Sequence, residues 1–520
     1  MKKVSIALLC FCLLNISHVL SQAGNLDITF DGDGKTLTSF NTHNCYGRSV
    51  TVQADGKILV AGYTSNTDFT IDFALARYNA NGSLDNTFDS DGKVITDLSG
   101  VSNDYGKAVA IDDNEKIIVA GYSLINFGFD FSLARYNSDG SLDVSFDADG
   151  ITTTAIGSFD DVGYAVAIQP DGSILVAGST SNSITTDIAL VRYQSNGAPD
   201  NTFGTNGIVT TDLSGTDDVG YGIAVQSDGK ILVAGSTKVG SANNFVLVRY
   251  NANGTLDNSF STDGFVTASF AGDDIAYGIA LQSDGKAVLG GTSTGGGGTG
   301  KFALARFNTS GVLDNTFSSD GLLSLSIGST CVAYSLAIQP DGKILEAGLS
   351  GDNPNQQFAV VRVNTDGSID NTFSSDGKTT TDIGNGEDDG NSIAIQPDGK
   401  IVVAGFSGDD NVNNFSVARY LSGLNVGVVD FSWNENSVLI YPNPVENVAQ
   451  LEYTLVSDEK LLLELYDATG RKAQSFLTHK KRSAGLHHEV LNLDSMLPSG
   501  NYTLVLSNEK KQLSIKIIKQ

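Results

Sequence analysis

Short apolar segments alternate with clusters of glycine, aspartate and asparagine along most of the chain. In one representative stretch, four apolar or alternating segments occupy residues 164–169, 174–178, 188–193 and 207–213. Segments of this length between turn-forming residues predict β-strands, and Pro170-Asp171-Gly172 after the first of them predicts a tight hairpin turn. No window combines the length and the 3.6-residue period of an amphipathic helix, so the pattern predicts an all-β protein.

The four-segment unit returns seven times, at intervals of 56 to 59 residues. Each copy has an Asp-Gly-Lys type turn before an apolar strand (residues 53–62), a strand that ends near an arginine (residues 72–79) and a Leu-Asp-Asn-Thr-Phe type turn (residues 84–88). One four-stranded sheet cannot bury both of its faces alone, so seven copies predict a ring of stacked sheets, a seven-bladed β-propeller. A linear β-solenoid is the alternative, although its repeats are usually shorter.

The order of the segments also predicts how the ring closes. If residues 164–169 are the innermost strand of their blade, the array begins with an outermost strand at residues 34–40 and ends with a third strand at residues 415–420. The N-terminal strand would then complete the seventh blade, which removes two unpaired sheet edges.

Composition narrows the classes of function. The net charge is -27 over 520 residues, so a nucleic acid backbone would be repelled and nucleic acid is not an expected partner. The chain has five histidines, of which only His43 lies in the repeats, and it has no zinc-spaced cluster, phosphate loop or nucleophile motif. These features favour a protein that is not an enzyme and has no cofactor.

The N-terminus predicts export. Residues 1–23 combine Lys2 and Lys3, an apolar run over residues 4–14 and small residues at the exit, which is the pattern of a secretory signal peptide. Cys10 could instead be a lipoprotein cysteine, but the apolar run before it would be too short for export. No later run approaches the length of a membrane span, so no transmembrane segment is expected in the mature chain.

Two cysteines remain after the signal peptide, Cys45 and Cys331. They occupy equivalent positions in the first and sixth units, so one whole blade of a seven-membered ring lies between them. A disulfide needs Cα atoms within about 7 Å, and we therefore expect both thiols to be free.

The repeat rhythm stops after Tyr420. Residues 422–437 are interpreted as a linker, and residues 438–520 carry ten Lys and Arg against nine Asp and Glu, so the acidity belongs to the repeats. Alternating segments with turns near Gly470 and Gly500 predict a small β-sandwich of the immunoglobulin-like type.

The repeat phrases over residues 24–421 resemble the delta-60 repeat family of β-propellers, which supplies no catalytic residues to transfer. Residues 438–520 resemble the C-terminal sorting domain of the type IX secretion system. The residues that carry this second resemblance include Tyr441, Pro442, Asn443, Pro444, Gly470, Gly500, Tyr502 and Lys519. The resemblance implies a Gram-negative bacterium, passage through the periplasm, the type IX machinery as a partner, and a protein that is secreted or displayed at the cell surface.

Two sets of equivalent positions are candidates for a ligand site at one mouth of the central channel. Ten residues before the hairpin aspartate stand Cys45, Asp104, Asp161, Asp218, Asp274, Cys331 and Asp388. A ring of carboxylates could hold a cation or a polyhydroxylated ligand. The alternative, which we favour, is that each aspartate fixes its own turn through backbone N–H groups.

The second set stands seven residues before the hairpin aspartate and consists of Arg48, Lys107, Tyr164, Tyr221, Tyr277, Tyr334 and Asn391. Tyrosine offers an apolar face and a polar tip, which suits stacking on sugars, and variation between blades would give the asymmetry that a specific ligand requires. The alternative is that these side chains only fill the channel.

Two further repeated features are assigned to structure. The phrase Asp31-Gly32-Asp33-Gly34 recurs in other units and resembles part of a calcium loop, but it lacks the downstream glutamate and loses a carboxylate in later units, so a turn explains more copies than calcium does. One arginine and one aspartate return in every unit, and their pairing is predicted to be a structural salt bridge. The pairs are Arg77, Arg135, Arg192, Arg249, Arg306, Arg362 and Arg419 with Asp85, Asp143, Asp200, Asp257, Asp314, Asp370 and Asp27.

The sequence thus favours an exported propeller that acts as a binding or structural interaction module, with a surface glycan or a protein as its ligand. The alternative is an extracellular polysaccharide hydrolase or lyase. In that case paired carboxylates such as Asp160-Asp161 and Asp217-Asp218 would act as acid and base.

Overall fold

The described part of the chain folds into two compact units, one that ends at Gly423 and one that begins at residue 438. The computed structural model describes residues 22–40, 43–66, 70–98, 100, 102–353, 355–409, 412–423, 438–441, 445, 447–455, 459–467, 471–483, 485–494, 497–508 and 512–519. Within these residues the only helix is a short 3-10 turn at Gly295–Gly297. No helix of the described chain is long and apolar enough to cross a membrane.

The first unit consists of seven four-stranded antiparallel sheets, which confirms the predicted seven-bladed propeller. The innermost strands of blades 1 to 7 are Cys45–Val52, Asp104–Ile111, Asp161–Ile168, Asp218–Val225, Asp274–Leu281, Cys331–Ile338 and Asp388–Ile395. The second strands are Ile58–Ser65, Ile117–Ile125, Ile174–Ser181, Ile231–Val239, Ala287–Ser293, Ile344–Ser350 and Ile401–Asp409. The third strands are Ile71–Tyr78, Gly128–Tyr136, Thr186–Tyr193, Ala242–Tyr250, Lys301–Phe307, Gln357–Val363 and Val412–Tyr420. The outermost strands are Lys93–Thr96, Ile151–Thr154, Ile208–Thr211, Phe265–Ala268, Leu322–Leu325, Lys378–Thr381 and, in blade 7, Lys35–Thr38.

The N-terminal strand closes the ring as predicted. Lys35–Thr38 pairs antiparallel with the third strand of blade 7, with Lys35 opposite Ala418 and Thr38 opposite Phe415. The first blade therefore meets a seventh blade whose outermost strand comes from the other end of the array. This pairing leaves no blade of the propeller with three strands.

A buried arginine links each blade to the next and confirms the predicted salt bridge. In blade 1 the Arg77 Nε lies 2.8 Å from the Asp85 carboxylate, the guanidinium lies 4.5 Å from the centre of the Phe88 ring, and Nη1 donates to the carbonyl of Ser138 in blade 2. All seven blades contain the ion pair. In blade 7 the partner of Arg419 is Asp27, so the N-terminal segment supplies both the outermost strand of this blade and the aspartate of its ion pair.

The cores lie between neighbouring blades, because the second and third strands are apolar on both faces. One cluster, for example, joins Leu59 and Phe73 of blade 1 to Ile117 and Val119 of blade 2. Such interblade cores explain why the repeats specify a ring, since an isolated sheet would expose both of these faces.

The second unit has two antiparallel sheets that contribute to one apolar core. One sheet contains Val438–Tyr441, Val448–Leu455 and Gly485–Asn492, and the other contains Lys472–Arg482, Glu459–Asp467, Gly500–Ser507 and Gln512–Lys519. Leu451 of the first sheet and Leu463 and Leu504 of the second belong to this core. The two sheets agree with a small sandwich, while its immunoglobulin-like class stays a prediction.

Candidate functional site

A β-bulge in every innermost strand pushes one side chain towards the channel. In blade 1 the pairing with the second strand is regular up to Gly47 and resumes at Ser49, which leaves Arg48 as the extra residue. The pairing of the other six innermost strands is interrupted at the equivalent place. Bulges re-aim side chains and are common beside functional sites. The seven bulge residues line one cavity of about 200 Å³; they are Arg48, Lys107, Tyr164, Tyr221, Tyr277, Tyr334 and Asn391.

The seven bulge residues form a ring at the mouth of the channel, and four tyrosines of blades 3 to 6 make up one half of it. Their side chains follow one another around the channel, with ring centres 4.9 Å apart from Tyr164 to Tyr221, 5.1 Å from Tyr221 to Tyr277 and 5.5 Å from Tyr277 to Tyr334. Burial raises the pKa of Tyr164 to about 12 and also raises the pKa of the other three phenols. The tyrosines therefore offer apolar ring faces and neutral hydroxyl groups at physiological pH.

Two cations, Arg48 on blade 1 and Lys107 on blade 2, belong to the other half of the ring. The Arg48 guanidinium lies 5.3 Å from the Tyr63 ring centre and 5.6 Å from those of Tyr46 and Phe406, and its Nη2 donates to the Tyr63 hydroxyl at 2.8 Å. The Lys107 ammonium lies 5.7 Å from the Tyr122 ring and 5.9 Å from the Tyr164 ring. Burial, reinforced by the charge of Arg48, lowers the pKa of Lys107 to about 8.

Blade 7 contributes an amide and a carboxyl beside Arg48. Asn391 donates to the carbonyl of Gly47 at 2.9 Å and its Oδ1 accepts a long bond of 3.5 Å from Arg48. Burial raises the pKa of Asp389 to about 6, although the Arg48 charge opposes the shift. The mouth is therefore asymmetric, with polar and charged groups on blades 7, 1 and 2 and tyrosines on blades 3 to 6.

An aromatic cluster behind the cations was not predicted from the sequence. Tyr105 contacts Tyr63, Tyr122 and Phe129 with ring centres 5.1, 5.0 and 5.9 Å away, and Tyr46 contacts Phe406 at 4.9 Å. Three members of the cluster occupy equivalent places on the second strands of blades 1, 2 and 7; they are Tyr63, Tyr122 and Phe406. The second strands of blades 3 to 5 have Ser179, Ser236 and Thr292 at this place. Comparison of the repeats at that position is the signal that would have found the cluster.

The structure supports the favoured interpretation that each of the five aspartates fixes its own turn, and it corrects the alternative of a carboxylate ring at the mouth. All five side chains are 0% exposed. The carboxylate of each accepts the N–H of a residue in the preceding loop, at 2.8 Å from Leu98 to Asp104 and 2.6 Å from Ile156 to Asp161. The innermost strands begin at these aspartates and not three residues later, so the strand alternation turns the side chains into the blades. The residues concerned are Asp104, Asp161, Asp218, Asp274 and Asp388.

The repeated Asp-x-Asp-Gly phrase forms a turn through its second aspartate. Asp33 accepts the N–H of Lys35 at 2.9 Å, and Asp91 accepts that of Lys93 at 3.0 Å. An aspartate that bonds a backbone amide two residues on is the common Asx turn. These contacts support the turn interpretation of the phrase.

Two trios of aspartates elsewhere come close enough to share a cation. Each trio lies where the outermost strand of one blade approaches the innermost strand of the next, and the carboxylate oxygens within a trio are all within 4.8 Å of one another. In each trio one fully buried aspartate, Asp104 or Asp218, also accepts a backbone N–H, so the cluster has a structural role. The trios are Asp72, Asp97 and Asp104, and Asp187, Asp212 and Asp218.

The structure locates part of the predicted sorting motif. Tyr441 is exposed at the end of its strand, Gly500 begins a strand, and Tyr502 and Lys519 are buried in the second unit. The Tyr502 hydroxyl donates to the carbonyl of Pro498 at 2.8 Å. Pro442, Asn443, Pro444 and Gly470 lie outside the described residues, as does most of the predicted signal peptide.

Three solved structures are distant likenesses of the chain. PorZ, a surface component of the type IX secretion system of Porphyromonas gingivalis, is 11% identical with a TM-score of 0.32, over 93% of this chain and 75% of its own. The polysaccharide lyase Uly1 is 11% identical with a TM-score of 0.41, over 78% of this chain and 94% of its own. A protein from Lactobacillus plantarum is 14% identical with a TM-score of 0.37, over 83% of this chain and 99% of its own. Scores this low carry no argument about activity, and among curated proteins none matches the sequence.

Two family models match the chain. The model described as "Domain of unknown function (DUF5122) beta-propeller" matches seven times, at residues 53–88, 114–146, 169–203, 226–260, 282–317, 339–373 and 396–425. The model described as "Secretion system C-terminal sorting domain" matches residues 439–520, which indicates export to the cell surface or secretion by a Gram-negative bacterium. The chain therefore belongs to the DUF5122 β-propeller family and carries a type IX secretion system C-terminal sorting domain.

Proposed function

We propose that this exported propeller is a binding module and that its ligand binds at the channel mouth. The observation that carries the proposal is the ring of seven bulge residues. The salt bridge of the blades is repeated seven times, whereas the bulge positions hold four residue types around a single cavity. A channel filled only for stability has no need of this variety, while recognition of a specific ligand requires it.

A glycan is the ligand class that this ring suits best. Four neutral tyrosines in sequence offer the flat apolar faces on which sugar rings stack, and their hydroxyl groups can bond to sugar hydroxyls. Export to the cell surface would bring the mouth into contact with such polymers.

The alternative of a polysaccharide hydrolase or lyase has no support from the paired aspartates. Asp161 and Asp218 are fully buried. Asp160 accepts the N–H of Phe129 at 3.0 Å, and Asp217 accepts that of Thr186 at 3.2 Å. These carboxylates hold the loops between blades and do not line the cavity.

A binding screen tests the proposal. Residues 24–520 are applied to an array of bacterial surface polysaccharides and purified surface proteins, alongside the double variant Tyr221→Ala, Tyr277→Ala. Loss of two stacking faces is expected to weaken binding at least about tenfold. The control is Val144→Ala, Val312→Ala, which changes two exposed loop residues outside the cavity. Binding that survives the tyrosine changes, with both variants folded by circular dichroism, would contradict a site at the mouth.

A further inference from the structure

The channel mouth carries two positive charges although the molecule as a whole is strongly negative. The chain has a net charge of -27 and the C-terminal 83 residues are close to neutral, so the propeller is strongly acidic. The interior of the mouth nevertheless carries Arg48 and Lys107 on neighbouring blades. Like charges placed together in a half-buried site repel each other, so this pair lowers stability unless something offsets it.

Lys107 has no anionic partner within the described chain. Its ammonium makes no hydrogen bond or ion pair there and lies over the faces of two tyrosine rings. The lysines that immediately precede the second strands are different, because Lys116 lies 3.0 Å from the Asp143 carboxylate and Lys286 lies 3.0 Å from that of Asp314. The fold therefore pairs these repeated lysines and leaves Lys107 unpaired.

Arg48 is also without a carboxylate partner in the described part of the chain. It is held by the Tyr63 hydroxyl, the Asn391 amide and three aromatic rings, and its buried Nε atom has no hydrogen-bond partner. The charge of Arg48 opposes the rise that burial causes in the pKa of Asp389, but the two side chains are too far apart to form an ion pair. A guanidinium positioned by neutral groups retains its capacity to bind an anion with charge-assisted hydrogen bonds.

We infer that the channel mouth recognises a sugar ring with an anionic substituent, a carboxylate or a sulfate ester, which binds Arg48 and Lys107 while the ring stacks on the tyrosines. This inference rests on the proposed binding function and names the ligand chemistry. The cavity of about 200 Å³ is smaller than the roughly 300–1,000 Å³ of most ligand pockets. It therefore accepts one sugar unit, such as a chain end or a side branch.

Three probes that differ only at the exocyclic carbon 6 of the sugar test the inference: glucuronate, glucose 6-sulfate and glucose. Binding to residues 24–520 is measured by saturation-transfer NMR titration. Glucuronate or glucose 6-sulfate is expected to bind at least about tenfold more tightly than glucose, and the order of the two identifies the anionic group. Acetate is the fourth probe and reports on the anion alone.

Variants at position 107 separate charge from packing. Lys107→Met is expected to lower the affinity for the anionic sugars at least about tenfold more than it lowers the affinity for glucose, and Lys107→Arg is expected to restore binding. Lys238→Met, which removes an exposed lysine outside the cavity, is the control and should have no effect.

Several results would overturn the inference. Equal binding of glucose and both anionic sugars would mean a neutral ligand, and the proposed binding function would still stand. Acetate as tight as glucuronate would mean an anion site that ignores the sugar ring. Absence of binding by all three sugars would overturn the inference as well, whereas the proposed function is decided separately by the tyrosine variants on the array.

Discussion

Glu346 is a buried carboxyl group in the core between blades 5 and 6. Its side chain is 1% exposed, its Oε1 accepts the N–H of Gly291 at 2.8 Å, and its Oε2 has no hydrogen-bond partner in the described chain. Five of the other blades have valine at the equivalent place, as at Val60. Burial raises the pKa of Glu346 well above its ordinary value, although the Gly291 N–H opposes the shift. We therefore predict that Glu346 makes the stability of the propeller depend on pH.

The direction in which stability changes with pH follows from proton binding. The folded protein keeps Glu346 protonated at pH values where the unfolded chain has lost this proton, so folding takes up a proton and stability falls as pH rises above the unfolded pKa of about 4.3. The slope is about 1.4 kcal/mol per pH unit for as long as the buried group stays protonated. Cys331 is the other titratable group that the Glu346 charge reaches, and burial raises its pKa, so it does not ionise in the acidic range.

The test compares Glu346→Gln with the wild-type protein in urea unfolding at pH 4.5, 5.5 and 6.5. Glutamine keeps an acceptor for Gly291 and cannot ionise, so its own packing cost is independent of pH. The difference in the free energy of unfolding, variant minus wild type, should rise by about 1.1 kcal/mol from pH 4.5 to 5.5 and by about 1.3 kcal/mol from pH 5.5 to 6.5, because the unfolded carboxyl is still partly protonated at the lowest pH. Glu115→Gln, which changes an exposed glutamate, is the control and should show no such trend. A constant difference between Glu346→Gln and wild type across the three pH values would refute the reasoning.

Four further predictions concern closure, the aspartates, the thiols and export. Deletion of residues 24–40 should expose the third strand of blade 7 and sharply lower the thermal midpoint; an equally stable monomer would contradict closure by this strand. Asp161→Asn should lower stability by about 1–3 kcal/mol in thermal or urea unfolding, because a buried carboxylate that accepts two backbone N–H groups is weakened, and it should leave ligand affinity unchanged. Thiol titration should find Cys45 and Cys331 unreactive in the folded protein and two free thiols after unfolding without reductant; fewer would indicate a disulfide. Removal of residues 438–520 should leave the propeller in the periplasm in cell fractionation, and its appearance at the surface would contradict the sorting role.

The fold was predictable from the sequence because the same pattern of four strands and their turns returns seven times. The ring closure at Lys35–Thr38 was predictable because the strand count left an unpaired outermost strand at the start of the array and a blade without its outermost strand at the end. The buried arginine pairs were predictable for a similar reason, since a charge pair that returns in every unit, such as Arg77 with Asp85, is architectural.

The site was predictable only in part. The positions of Arg48 and Tyr221 at the mouth came from aligned repeats, but the bulge that aims them depends on backbone register, which composition does not encode. The sequence left two directions open for Asp161, because an aspartate beside glycine suits both an open mouth and a buried turn, and because the strand begins earlier than its apolar pattern indicated. The aromatic cluster around Tyr105 joins different strands of different blades, so no local pattern marks it.

A crystal structure of the protein with a bound oligosaccharide from the array screen tests the central claim most directly. The binding account predicts a sugar ring in the cavity, stacked on Tyr221 or Tyr277, with its polar groups towards Arg48 and Lys107. An oligosaccharide bound elsewhere on the propeller, with the mouth side chains unmoved and the cavity without sugar, would contradict it.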